Sequence, residues 1–231
     1  MKIVMTKATA IVLAASLLFA GCSTWSKAGS GAAIGGGSGA AIGAGLGALL
    51  GKSGESAAIG AALGAAIGAG TGAIIGSRMD KKAEELAKIE SAQVETVKDV
   101  NGLEAIKVTF DSGILFKTNS ANLSNNSKEA LKSFANEMKD LPDTDITVYG
   151  HTDNTGSASV NEKLSLQRAN AVSSYLGTCG IAPERMTTEG KSYTMPVADN
   201  STAEGRAQNR RVEIFISANE KMIQDAQKEA L

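Results

Sequence analysis

The feature that most constrains this chain is a run of glycines at a fixed interval of four between residues 31 and 76. Gly31, Gly35, Gly39, Gly43, Gly47 and Gly51 make a first set, and Gly60, Gly64, Gly68, Gly72 and Gly76 a second. A shift of 25 residues lays Ala32–Gly51 over Ala57–Gly76 with 14 identities in 20 positions, which identifies a duplicated unit. Residues four apart share one stripe of a helix, and a glycine stripe lets a second helix backbone come close. Each glycine costs a lone helix about 1 kcal/mol relative to alanine, so neither repeat is expected to hold as a helix alone in water. An uncharged stretch of about 20 residues is roughly 30 Å long as a helix, enough for a bilayer core. Five Leu or Ile per repeat contribute only roughly −1.5 to −3 kcal/mol to insertion, so the helices need each other or another copy. The reading is a glycine-zipper helical hairpin over residues 31–76, with Lys52 and Glu55 in its turn. A flexible Gly-Ala linker is the alternative, and it gives no reason for a strict register.

Residues 1–21 read as a secretory leader, because Lys2 and Lys7 precede the apolar run Ala8–Phe19 and the small pair Ala20-Gly21. The junction Leu18-Phe19-Ala20-Gly21-Cys22 resembles the bacterial lipobox, departing from it at Phe19. That resemblance implies acylation of Cys22, membrane lipid as a partner and residues 22–30 as a linker. Paired acyl chains give the stable anchoring that one chain lacks. Ser23, in place of the aspartate that retains lipoproteins in the inner membrane, points to the outer membrane. Cys179 is then left without an intramolecular disulfide partner, and is expected as a small buried residue at a helix end. A formal net charge of −1 gives no electrostatic case for nucleic acid.

Composition changes at Arg78. Residues 77–102 are rich in Lys, Glu and Ala and are expected to form a charged, solvated helical connector that ends at the turn signal Asn101-Gly102. From 103 to 217 strand and helix signals alternate. Ala105–Phe110, Asp145–Gly150, Met186–Glu189 and Val212–Ile216 read as strands. Asn126–Asp140, a segment opening at the capping box Ser159-x-x-Glu162 and running to Leu176, and Thr202–Asn209 read as helices. The expectation is an α/β (α+β) sandwich, one mixed sheet with helices packed on it. Residues 218–231 read as a polar helical tail.

The helix after the second strand carries an anomaly. On a wheel, Leu164, Tyr175, Val172, Leu176 and Ala169 form an apolar arc, and Arg168 falls inside it. A guanidinium there has to be paired or line a cleft, as a structural salt bridge or a ligand-binding group. The loop feeding that helix, His151-Thr-Asp-Asn-Thr-Gly156, places Asp153 where it can face Arg168 across a pocket; alone it would read as an Asx turn or cap.

These residues belong to a larger pattern. Phe116–Leu123, Gly150–Gly156, Asn161–Val172, Thr188–Gly190 and Gly205–Ile214 occur in the order of the OmpA-like peptidoglycan-binding domain, and residues 110–216 resemble that family. With the lipobox and zipper in front, the chain is similar to the YiaD-type outer-membrane lipoproteins. The resemblance implies recognition of peptidoglycan through the diaminopimelate of its stem peptides, whose free end carries an ammonium and a carboxylate on one carbon. Asp153 matches the aspartate that takes the ammonium, and Arg168 the arginine that clamps the carboxylate in bidentate fashion. Asn119 matches a ligand-contacting asparagine, and Arg211 is a candidate to close the pocket, although Arg210-Arg211 could equally be surface charge on an edge strand. No cofactor or metal is implied. Catalysis is not expected, since the lone histidine, His151, sits in one short loop with Asp153 and Ser157, and a zinc site lacks ligands. A proton-coupled stator would need an ionisable residue within 57–76, and none is there. The expected role is a tether in the outer membrane with its C-terminal domain in the periplasm. Self-association through the zipper, as an oligomeric scaffold or pore, is the alternative.

Overall fold

A computed structural model describes residues 68–111, 115–116 and 120–231. The leader, Cys22, the zipper as far as residue 67, and Asn119 lie outside the described residues. Five strands, β1 (Ala92–Lys98), β2 (Glu104–Asp111), β3 (Thr144–Gly150), β4 (Met186–Gly190) and β5 (Arg211–Ala218), form one sheet in the order β1-β2-β5-β3-β4. The β3–β4 pair is parallel and the other pairs are antiparallel. Helices α1 (Ala69–Leu86), α2 (Asn125–Glu137), α3 (Ala158–Thr178), α4 (Ala203–Asn209) and α5 (Glu220–Glu229) complete the described elements, with short 3₁₀ turns at Met138–Asp140 and Pro183–Arg185. The mixed α/β sandwich expected from the alternating signals is what forms.

Period-two alternation sets the core. Ile106, Val108 and Phe110 of β2 lie in register with Ile216, Ile214 and Val212 of β5, and Ile216 and Ile214 with Ile146 and Val148 of β3. These rows are fully buried beneath Leu131, Phe134 and Met138 on one side and Ala169, Val172 and Leu176 on the other. Strand β5 lies between β2 and β3, which removes the edge position allowed for it from sequence, and it is also buried on both faces. Helix starts differ slightly from expectation. Ser124 rather than Asn126 caps α2, accepting from Ser127 N at 3.1 Å. Ser157 rather than Ser159 caps α3, which runs two residues past Leu176. Cys179 is the half-buried C-cap of α3 and forms no disulfide among the described residues.

The 77–102 connector is where the structure departs from the sequence reading. It is not a solvated helix. Its first part belongs to α1, whose Ile75, Met79 and Leu86 are completely buried in the core of the domain. Its second part is β1, paired along its length with β2 so that Val94 faces Val108 and Thr96 faces Ile106. The physical reason is that Ala92 and Val94 share one face of a strand that can pair with an otherwise open β2 edge, and Ser91 reverses the chain with φ 68°. Buried Lys82 of α1 is satisfied by Glu85 and Glu137.

Helix α1 also absorbs the end of the second glycine repeat. At Gly76 a Cβ would lie 2.6 Å from Glu104 Oε2, so this glycine is used for packing against the sheet. The tail is likewise part of the domain. Helix α5 buries Met222 and Ala226, Ala230 lies against Gly70, and Arg78 pairs with Glu229 at 2.5 Å. Among the described residues no helix is long and apolar enough to cross a membrane.

Candidate functional site

The C-terminal ends of β3 and β4 are tied to α3 by two glycines. Gly150 and Gly190 are partners in register, and both lie beneath Ser165. A Cβ on Gly150 would stand 2.0 Å from Ser165 O, and one on Gly190 would stand 2.7 Å from Ser165 Oγ and Leu166 N. Only glycine permits this approach, and it lowers α3 onto the sheet one turn before Arg168. Ser165 Oγ in turn accepts from Ser192 N at 3.1 Å, fixing the strand that leaves β4.

Arg168 is buried, 3% exposed, on the face it shares with Ser165, Ala169, Val172 and Leu176. Its Nε donates to Ser120 O at 3.2 Å, and its guanidinium carbon stands 5.3 Å from the centre of the Phe116 ring. Its Nη1 is buried and has no hydrogen-bond partner among the described residues. A buried charged donor left open costs free energy unless a ligand or water fills it.

Asp153 lies on the loop between β3 and α3. Asn161 pins this loop by donating Nδ2 to Thr155 O at 3.0 Å. One carboxylate oxygen of Asp153 accepts from Thr155 N at 2.8 Å, and the other accepts from Arg210 Nη1 at 2.6 Å. Burial works against its ionisation, but the bonds from Arg210 and Thr155 outweigh that and hold its pKa below the usual aspartate value. Burial, and then the nearby Arg210 charge, lower the Arg168 pKa, while Asp153 opposes them. From so high an ordinary value the group remains a cation. The direct partner of Asp153 is thus Arg210 rather than Arg168.

Arg211, a sequence candidate for closing the pocket, is placed elsewhere. It is 4% exposed, donates Nε to Glu213 Oε1 at 2.8 Å and Nη2 to Met195 O at 3.2 Å, and so is held inside the domain. Neighbouring residues in a strand point to opposite faces, and Arg211 shares the face of Glu213 and Phe215. Arg210 is the C-cap residue of α4, just ahead of that strand, and turns instead to the β3–α3 loop. The signal that could have separated the two was Glu213, two residues after Arg211 and on its face. Asn209 fixes the junction by accepting from Val197 N and Ala198 N and donating to Ala198 O and Asn200 Oδ1.

His151 is 1% exposed, with Nε2 3.3 Å from Glu213 Oε2 but out of hydrogen-bond alignment. Burial lowers its pKa against the pull of Glu213, so the imidazole is neutral at pH 7. Burial opposes ionisation of Glu213 too, but His151 and Arg211 prevail and bring it down to about 2. Of that pair of influences, the permanent Arg211 charge is the one that holds the carboxylate at neutral pH.

The site thus gathers two guanidiniums and one carboxylate from α3, the β3–α3 loop and the entry to β5. Residues 115–210 match the OmpA family, and residues 1–80 match the YMGG-like Gly-zipper. The chain is 42% identical over 112 residues to the probable lipoprotein YiaD of Escherichia coli, covering 48% of this chain and 51% of that one. It is 42% identical over 113 residues to the peptidoglycan-binding protein ArfA of Mycobacterium tuberculosis, covering 49% of this chain and 35% of that one. The chain thus spans about half the length, or less, of these curated relatives. Among solved structures, the cell wall anchor of the type VI secretion system (T6SS) from Pseudomonas aeruginosa is 35% identical with a TM-score of 0.51, covering 62% of this chain and 98% of that one. The fold, the ordered motif blocks and these matches together show that the chain belongs to the OmpA family through residues 115–210, behind a YMGG-like Gly-zipper.

Proposed function

We propose that this protein is a non-catalytic envelope tether that binds peptidoglycan through the Asp153–Arg168 site, with diaminopimelate of the stem peptide as the group recognised. The observation that carries the proposal is Nη1 of Arg168, a buried donor without a partner among the described residues, in the field of the ionised Asp153. The free end of diaminopimelate offers an ammonium for Asp153 and a carboxylate for Arg168 on one carbon. The names of two relatives, a peptidoglycan-binding protein and a cell wall anchor, agree with this chemistry. Asn119, next to Ser120 whose carbonyl receives Arg168, is assigned to the same ligand.

Acylated Cys22 would hold the other end of the chain in the outer membrane, leaving the domain in the periplasm. Each charge-assisted bond contributes roughly 1.5–3 kcal/mol, so one site binds modestly. Retention then comes from the high effective concentration of sites on a polymer beside an anchored protein. The non-catalytic reading is supported by His151, which is buried beside Glu213 and neutral, with no nucleophile bonded to it among the described residues.

The test is calorimetric titration of the full chain with a stem tripeptide ending in diaminopimelate, and with the same tripeptide ending in lysine. The first should bind and the second should bind at least about tenfold more weakly, the loss of one charge-assisted contact. Equal binding of both would reject diaminopimelate as the recognised group.

A further inference from the structure

Both carboxylate oxygens of Asp153 are engaged within the protein. Thr155 N takes one oxygen, and Arg210 Nη1 takes the other at 2.6 Å. The Arg210 side chain is 39% exposed while that of Asp153 is 12% exposed, so Arg210 lies over Asp153 from the solvent side. Its backbone is fixed by the bond from its own N to Arg206 O at 3.1 Å, but its head is held by Asp153 alone among the described residues. Beneath, Arg168 is anchored through Ser120 O and Phe116, and its Nη1 has no hydrogen-bond partner among the described residues. The two guanidiniums are close enough to act on one another.

We propose that Arg210 is a specificity-determining cover: its guanidinium occupies the ammonium seat on Asp153 and yields it only to a ligand that also brings a carboxylate. This rests on the Asp153–Arg168 reading of the site. A bare amine that displaced Arg210 would leave two guanidiniums facing each other with no added anion. A ligand carrying both charges on one carbon displaces Arg210 from Asp153 and returns a carboxylate that Arg168 Nη1 and the freed Arg210 can share. Arg210 therefore penalises amine-only ligands more than zwitterionic ones, which is how a pocket rejects a near match by leaving it worse paired. Exchange of one ion pair for another also keeps the seat from standing empty and desolvated.

The experiment compares wild type, Arg210→Gln and Arg210→Lys as full chains, titrated with the diaminopimelate tripeptide and the lysine tripeptide, with thermal melting as a check on folding. In Arg210→Gln the lysine tripeptide should bind better than in wild type, and the preference for diaminopimelate should fall by about tenfold, one charge-assisted contact. Arg210→Lys should keep most of the preference, because it still supplies a cation to Asp153. An unchanged preference in a folded Arg210→Gln would overturn the cover. Weaker binding of both peptides to Arg210→Gln by the same factor would also overturn it, making Arg210 a plain ligand contact. If Arg210→Gln does not fold, Arg210→Lys decides, since retention of most of the preference supports the cover and loss of most of it rejects the cover. Failure of the parent reading looks different: wild type itself would then bind both peptides equally or neither.

Discussion

On the N-terminal flank, α1 buries the apolar Ile75, Met79 and Leu86 and pairs its buried Lys82 with Glu85 and Glu137, and β1 closes the edge of β2. At the C-terminal ends of β3 and β4, Arg168 is buried just as deeply but keeps a donor that nothing in the described residues satisfies. The flank spends apolar area on holding the domain together. The site gives up some of that stability for an open charge. The contrast separates the residues whose loss should unfold the protein from those whose loss should silence it.

The largest effect is expected where the flank enters the core. Met79→Asp places a carboxylate in a fully buried apolar position, and the domain should fail to fold, because an unpaired buried charge costs several kcal/mol. The milder Met79→Ala should cost about 2–5 kcal/mol and lower Tm by roughly 5–15 °C in a melt followed by circular dichroism. Native melting of both would mean that α1 is the solvated connector the sequence suggested. Next comes Gly150→Ala, whose added Cβ would meet Ser165 O. Overpacking of this kind costs about 1–3 kcal/mol. Because α3 must lift to relieve it, binding of the diaminopimelate tripeptide should weaken together with Tm. A variant that loses stability alone would detach the glycine pair from the site.

The smallest effect is a gain. Asp99, 2% exposed in the β1–β2 turn, accepts from Asn101 N at 2.8 Å and Leu103 N at 2.9 Å. Burial outweighs those bonds and raises its pKa from 3.8 to about 6. A carboxyl whose folded value is raised contributes stability that is present below pH 4 and lost as pH rises through about 6. Asp99→Asn keeps the acceptor oxygen without the charge, so it should gain about 1–2 kcal/mol at pH 7 and nothing at pH 4. Equal stability of the two proteins from pH 4 to pH 7 would contradict the buried carboxylate.

How much of this was legible in the sequence follows the same division. The strands at 105–110, 145–150 and 212–216 and the long helix through Arg168 were readable because period and capping are local. Arg168 and Asp153 stood out because a charge in an apolar arc is a local contradiction. What the sequence hid depends on partners distant in the chain. Val94 and Val97 look like irregular helix positions until β2 offers an edge to pair with. Gly76 looks like one more step of the zipper until Glu104 is packed against it. Arg210 and Arg211 are adjacent and chemically identical, and only the burial of β5 on both faces sends one inward to Glu213 and the other outward to Asp153.

The central claim is that Asp153 and Arg168 hold the wall rather than the fold, and co-sedimentation with purified sacculi tests it most directly. Wild type, Asp153→Asn and Arg168→Lys should be compared as full chains, each also melted in solution. Asp153→Asn removes the counter-charge for an ammonium, and Arg168→Lys keeps the charge but removes the planar fork. The expected result is that both melt close to wild type and both lose at least about tenfold in wall binding, as for truncation of one member of a charge-assisted pair. Undiminished sedimentation of both folded variants would contradict the account, and unfolding of both would make the pair a structural salt bridge.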